Sequence, residues 1–301
     1  MPGPRRALIA AAAGLALLAG GPAPARAAMT LDYLGTHVWH EDDEDFGGFS
    51  GIEITDDGRG YTVLSDRAAL RWGSIERDGQ GRIARLTTAG RARLHDSRGR
   101  RLKLGYLGDS EGLAVDAEGR IFVSFEGLDR VVRYDDPDGP AHPLQPRPAG
   151  FRALSINSGL AALAITPSGD VLTIPEHWDR SSGRFPVWRF RDGAWSMPFE
   201  MPVDPEWAPV GADVGPDGRL YVLERRFRGL RGFASRVRRF ALSDDALGPP
   251  EQVLETSLLQ YDNLEGIAVW QDAQGIRLTM VSDDNFFVLQ RTQLVEYRIR
   301  E

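Results

Sequence analysis

The sequence has no cysteine. That excludes a disulfide framework, a thiol nucleophile, a cysteine metal site and a lipid-anchored cysteine. It has a single lysine, Lys103, among 36 basic residues, a bias we read as base composition without functional content. Its longest apolar run, residues 7–18, is shorter than the roughly 20 residues a bilayer span needs. Base is also scarce relative to acid: 43 Asp and Glu outnumber the Lys and Arg, for a net charge of −7. This argues against a nucleic-acid partner and suits bound cations. A Gly-x-Ser-x-Gly elbow, a His-Glu-x-x-His motif, a Walker loop and a dinucleotide fingerprint after a strand are all missing. Long helical periodicity is missing too, with residues 242–247 offering at most a short turn.

What is present begins with a leader pattern. Arg5 and Arg6 precede the apolar run, a Gly/Pro break follows, and Ala25-Arg26-Ala27 supplies small residues for cleavage. Residues 1–27 read as a secretory signal peptide, by ordinary export in preference to the twin-arginine route. The expected product, residues 28–301, is a single periplasmic or secreted domain without a membrane span, and a monomer. Losing three arginines and no acids, it is more negative than the full chain.

The body of the chain repeats itself. Residues 109–126 (DSEGLAVDAEGRIFVSFE) read as an apolar strand, a tight polar turn, a second apolar strand and an acid. Residues 49–67, 158–177, 210–226 and 263–285 copy the plan. Aligned on Gly51, Gly112, Ala162, Gly211 and Gly266, the copies recur at intervals of roughly 50 to 60 residues. Short strands at such a period predict an all-β fold, a β-propeller with five visible blades, and leave room for a sixth, irregular one. Gly58, Gly119, Gly169, Gly218 and Gly275 sit in the turns, where a hairpin demands positive φ. Further strands are expected near 82–87, 131–134, 187–191, 237–242 and 287–290. Pro/Gly-rich stretches at 135–150, 198–209 and 248–251 read as loops between blades. Residues 30–39 predict a strand that pairs with 293–299, closing the ring.

Hairpin geometry locates the chemistry. If the Gly turn joins two strands at one rim, the start of the first and the end of the second meet at the other rim. Those positions are Ser50 with Asp66, Glu111 with Glu126, Ala161 with Glu176, Val210 with Glu224, and Glu265 with Asp283 and Asp284. The expectation is a ring of carboxylates round a channel mouth. Such a ring cannot stay fully ionised at close range without a cation, and its hard oxygens suit calcium. The alternative is that the acids are structural and accept backbone hydrogen bonds. Arg67, Arg225 and Arg226 follow the rim acids, with the planar fork that binds phosphate or carboxylate. His177 follows Glu176 and is a candidate acid–base group beside Glu111 and Glu265. Trp178, Trp207 and Phe286 lie near the same rim, as pocket lining or as core. The acidic run 41–45 is expected to be a solvated loop, with a calcium ligand as the alternative.

Three motifs together, residues 47–53 (GGFSGIE) with 63–67 (VLSDR), 109–114 (DSEGLA) with 125–126 (FE), and 263–268 (NLEGIA) with 281–286 (VSDDNF), resemble the bacterial phytase-like family known for "esterase-like activity of phytase". The resemblance covers nearly all of residues 28–301. It implies an exported propeller that hydrolyses phosphate or carboxylic esters with calcium, on a small anionic or polar substrate. It points to Asp66, Arg67, Glu111, Glu126, Glu265, Asp283 and Asp284. The Asp/Ala-rich signatures of the alkaline phytases are not found, which leaves phytate without support. A calcium-dependent sugar lactonase and a non-catalytic binding or scaffold propeller are the competing readings.

Overall fold

A computed structural model of the chain describes residues 29–152, 154 and 159–301. The leader, residues 1–27, lies outside the described residues. The strands form five antiparallel sheets of four. Blade 1 holds β2 (Phe49–Ile54), β3 (Gly60–Ser65), β4 (Ala69–Arg77) and β5 (Ile83–Arg93), and blade 2 holds β6 (Ser110–Val115), β7 (Ile121–Phe125), β8 (Arg130–Tyr134) and β9 (His142–Pro143). Blade 3 comprises β10 (Ala162–Ile165), β11 (Val171–Ile174), β12 (Arg184–Arg191) and β13 (Ala194–Pro202). Blade 4 comprises β14 (Ala208–Val214), β15 (Arg219–Phe227), β16 (Phe233–Ala241) and β17 (Glu251–Glu255). Blade 5 joins β18 (Asn263–Asp272), β19 (Gly275–Asp283) and β20 (Gln293–Arg300) to the first strand of the chain, β1 (Thr30–Val38). The fold is a five-bladed β-propeller closed by its N-terminal strand, as residues 30–39 and 293–299 predicted.

Among the described residues no sixth blade forms. The extra length between Gly51 and Gly112 is taken up by β4 and β5, of nine and 11 residues, and by the connection after them. Residues 287–290 turn instead of forming a strand, because Asn285 and Phe286 adopt positive φ and break the extended run. Residues 198–202 belong to β13 despite Pro198 and Pro202. As the outermost strand of its blade, β13 leaves one row of backbone groups unpaired, which is where proline is tolerated.

The core is divided into five slabs, one between each pair of neighbouring blades. Ala162, Leu172, Val187 and Phe199 of blade 3, for example, pack on Ala212, Leu220, Val222 and Phe240 of blade 4. Blades 5 and 1 meet through Val281, Leu294 and Trp270 against Ile52, Val63 and Ile75. Inner strands β2, β6, β10, β14 and β18 line the axis. There the repeat glycines are required for close approach: a Cβ on Gly266 would lie 2.9 Å from the Gly51 Cα, and one on Gly112 would lie 2.7 Å from the Leu163 Cβ. The acidic run 41–45 is a loop exposed at Asp42, Glu44 and Asp45, as expected, but it is not free. Glu41 and Asp43 grip Arg71 at 2.6 and 2.7 Å, and Asp45 holds Arg93 at 2.6 Å, fastening the segment to β4 and β5.

Candidate functional site

Four inner strands carry a β-bulge just before or at the repeat glycine. Register slips between Phe49 and Gly51, Ser110 and Leu113, Pro209 and Gly211, and Leu264 and Gly266. The bulged residues are Ser50, Glu111 with Gly112, Val210 and Glu265. A bulge re-aims the side chain of its extra residue, and in blades 2 and 5 that residue is glutamate. At the same rim the second strands end on Asp66, Glu126 and Glu176, whose N–H groups donate to the carbonyls of Gly48, Asp109 and Gly159 at 2.8, 2.9 and 2.9 Å. Repeat symmetry thus puts acids from several blades at one mouth of the channel.

Their electrostatics show that they converge. Burial pushes the Glu111 carboxyl well up, and the charges of Glu265, Asp109, Glu126 and Glu176 push it further. Burial raises Asp283 to about 8, with Glu265, Asp66 and Asp284 adding to the shift. Burial likewise raises Asp66 to about 6 against the opposing pull of Arg67. Glu265 is raised by burial, opposed by Arg225 and by its hydrogen bond from Asn263. Arg225 bridges the ring: it contacts Glu265, donates to Glu176 at 2.6 Å, and donates to the Asn263 side-chain oxygen at 2.9 Å. The Asn263 amide in turn donates to Glu265 at 2.8 Å. Arg67 lies over the Phe286 ring, its guanidinium carbon 3.2 Å from the centroid, and makes no carboxylate contact among the described residues. The His177 Nδ1 is buried without a hydrogen-bond partner among the described residues, 3.7 Å from the Glu176 carboxylate.

Other candidates stand apart. Glu224 is buried within blade 4, where Arg238 donates to both of its oxygens at 2.6 and 2.7 Å and Arg236 donates at 2.9 Å; its strand has no bulge to turn it inward at that residue. Arg226 pairs with Glu206 at 3.3 Å and stacks on Trp207. Asp284 spends its acceptors on the N–H groups of Gly48 and Phe286 and on the Thr292 hydroxyl, fastening the loop after β19 to the turn before β2. Trp207 is buried between Arg226 and Arg236, and Trp178 packs on the slab between blades 3 and 4. Asp109 and Asn263 belong with the site although the rim argument did not single them out. Both stand two residues before a bulged glutamate, a shared offset that was visible in the two motifs.

Among the described residues, no group of three or more His, Asp or Glu side chains is gathered closely enough to hold a metal ion as it stands. The donor chemistry nevertheless fits a hard cation. Asp109 is raised by burial, Glu111 by burial and like charge, and neither has a hydrogen-bond or ion-pair partner among the described residues.

The fold and site define a class: a five-bladed propeller whose channel opens through a mouth rich in carboxylates. The family model described as "Phytase-like: Esterase-like activity of phytase" matches residues 44–286, and the chain belongs to this family. No curated protein matches the sequence. Among solved structures, the chain is similar to the α-L-arabinofuranosidase PaAbf62A of Podospora anserina, solved with cellotriose, at 12% identity and a TM-score of 0.54, over 90% of this chain and 96% of that one. It is also similar to the PQQ-bound aldose sugar dehydrogenase of Streptomyces coelicolor, at 14% identity and a TM-score of 0.51, over 91% and 99%. At such identities the likeness is one of fold.

Proposed function

We propose that the protein is an exported, calcium-assisted hydrolase whose preferred substrate is a carboxylic ester with an apolar part. The observation that carries this reading is the charge balance of the mouth. Asp66, Asp109, Glu111, Glu126, Glu176, Glu265 and Asp283 sense one another, directly or through a shared neighbour, while Arg225 is already committed to Glu176 and Glu265. Among the described residues only Arg67 remains to receive an anion, which is poor provision for a phosphate monoester. Phe227 at the end of β15, Leu230 on the connection β15–β16, and Phe287, Val288 and Leu289 on the connection β19–β20 are exposed at the rim end of their blades and offer contact to an apolar group.

Asp66, Asp109, Glu111 and Asp283 would hold the cation by drawing together. Bound there, calcium supplies neutralising charge and Lewis acidity toward an ester carbonyl. The chain's own residues do the rest. Arg67, braced on Phe286, offers its N–H groups to charge developing on the carbonyl oxygen. Arg225 and Asn263 fix Glu265, which would take a proton from the water that attacks the carbonyl carbon, and His177 beside Glu176 would give a proton to the alkoxide as the ester C–O bond breaks.

The test is a panel of phosphomonoesters, carboxylic esters and lactones, with and without calcium, on residues 28–301. Turnover of carboxylic esters that is lost in Glu111→Gln, together with the calcium-induced rise in melting temperature, is the expected result. Turnover of lactones alone would make it a lactonase. No turnover and no thermal response would make it a binding or scaffold propeller.

A further inference from the structure

Buried arginines in this protein are matched to carboxylates. Arg71, Arg236, Arg238, Arg239, Arg277 and Arg298 are all buried, and each contacts an Asp or Glu. Arg130, half-buried at the start of β8, contacts no carboxylate. Its guanidinium donates only to carbonyls, Leu128 at 3.0 Å and Leu107 at 2.5 Å, and lies 3.9 Å from the centroid of the Phe125 ring. Burial lowers its pKa to about 10, opposed by the charges of Tyr134 and Asp129 and reinforced by Arg147. A guanidinium partly withdrawn from water without a carboxylate in contact bears a desolvation cost, and that cost falls when an anion joins it.

Arg130 lines a cavity of about 870 Å³ on the flank of blade 2. The cavity lies under the connection that follows β5 and beside the excursion after β9. Five further cations line it: Arg100, Arg101, Lys103, Arg147 and Arg152. The single acid in its wall, Asp96, is taken by Arg100 at 2.7 Å. Arg147 donates to the Asp129 carbonyl at 3.3 Å, and Arg101, Lys103 and Arg152 have no acid partner among the described residues. Six cations in the wall against Asp96, with Asp129 the neighbouring acid, leave an excess of positive charge in a chain of net charge −7. Between the cations the wall is apolar, with Leu102, Leu128, Val132, Tyr134 and Pro143, and with Leu107 at its edge still 42% exposed. Fixed donors in an apolar cleft of this size are the features of a small-molecule site.

We propose that this flank cavity binds an amphipathic organic anion, one acidic group on an apolar body, with Arg130 at the acidic group and the leucine-lined wall against the body. The cavity shares no lining residue with the acids of the mouth, and the proposal does not depend on the activity proposed there. An acidic ligand that the mouth repels finds a counter-charge here.

The probe is 8-anilinonaphthalene-1-sulfonate, followed by fluorescence on residues 28–301, with inorganic sulfate and the uncharged N-phenyl-1-naphthylamine as comparators. We expect saturable binding of one equivalent, weakened by added salt. We expect it to weaken about tenfold or more in Arg130→Gln, the loss of one charge-assisted partner. The paired surface variant R101E/K103E, which leaves Arg130 and the core untouched, should weaken the sulfonate at least threefold and leave the uncharged probe unchanged. Sulfonate affinity unaltered in both variants overturns the proposal. So does inorganic sulfate that competes at concentrations as low as the aryl sulfonate, which would show an inorganic-anion site only.

Discussion

Arg225 is the one guanidinium in hydrogen-bond contact with the carboxylates of the channel mouth among the described residues, and it serves Glu176, Glu265 and Asn263 together. Truncating it leaves two partly buried acids without a cation. Arg225→Gln is expected to cost about 2–4 kcal/mol in chemical denaturation. Arg225→Lys should recover only part, because one ammonium cannot reproduce a planar fork that reaches three acceptors. In a Glu265→Gln background the cost of losing Arg225 should shrink, a coupling that a double-mutant cycle reads directly. Residue identity alone did not separate this arginine from Arg226 beside it. Alternation along β15 does: one points into the mouth, and the other lies out against Trp207.

At the scale of the element, the inner strand with its bulge is the working part. Gly112 combines two demands, since the bulge turns Glu111 toward the channel while the next blade presses on the glycine itself. A Cβ there would meet the Ser124 Oγ at 2.5 Å, the Leu163 Cβ at 2.7 Å and the Ala161 carbonyl at 2.8 Å. Gly112→Ala is expected to destabilise by about 2–3 kcal/mol and to reduce whatever activity depends on Glu111. Gly119, in the turn of the same hairpin, has φ +80° and nothing within 4 Å of a built Cβ. Gly119→Ala should cost only the left-handed penalty, about 1 kcal/mol, and leave activity unchanged. Equilibrium unfolding of the two variants side by side separates crowding from conformation.

At the scale of the whole molecule, the channel has a second mouth, and it too is acidic. Glu53 of β2 and Asp213 of β14 face it; the Glu53 carboxylate accepts from the Val115 N–H, and Asp213 accepts from the N–H groups of Val269 and Val214 at 2.6 and 2.7 Å. Each acid therefore ties its inner strand to the next. Burial pushes both carboxyls up, Asp213 to about 7 and Glu53 well above its usual range, where the Asp213 charge adds to the burial. Asp56, Asp116, Glu118 and Arg120 line the same cavity, and Arg120 is held by Asp116 at 2.6 Å. An acid raised in the folded state stabilises the fold while protonated, so this contribution is lost as pH rises from about 4 toward 7. Glu53→Gln keeps an acceptor for Val115 without the charge. It is expected to raise stability at pH 8 by about 1–2 kcal/mol and to flatten the decline between pH 5 and 8 in thermal melts. Closure is the other property of the whole. Deleting residues 29–38 removes β1 and bares the edge of β20, and the product is expected to self-associate on size-exclusion chromatography.

The period of strand, glycine turn, strand and acid was legible in the sequence because each blade is a local unit: two apolar runs joined by residues that permit positive φ can only be a hairpin. The same locality placed Asp66, Glu111, Glu126, Glu176, Glu265 and Asp283 at one rim, and 30–39 against 293–299. Blade number was not legible, since the long β4 and β5 fill the interval that could have held another blade, and the strand β4, rich in polar residues, lacks a clear alternation. Nor was the membership of the site. Whether a rim acid faces the channel depends on the bulge before it, as at Glu111 and Glu265, or on a neighbour that claims it, as Arg236 and Arg238 claim Glu224. Those partners lie 12 and 14 residues away along the chain, and the Arg225–Glu265 contact spans 40. Hydrophobic pattern and turn chemistry act over a few residues and so are written in the sequence. Charge pairing and desolvation act between strands and between blades, and only the folded chain brings their partners together.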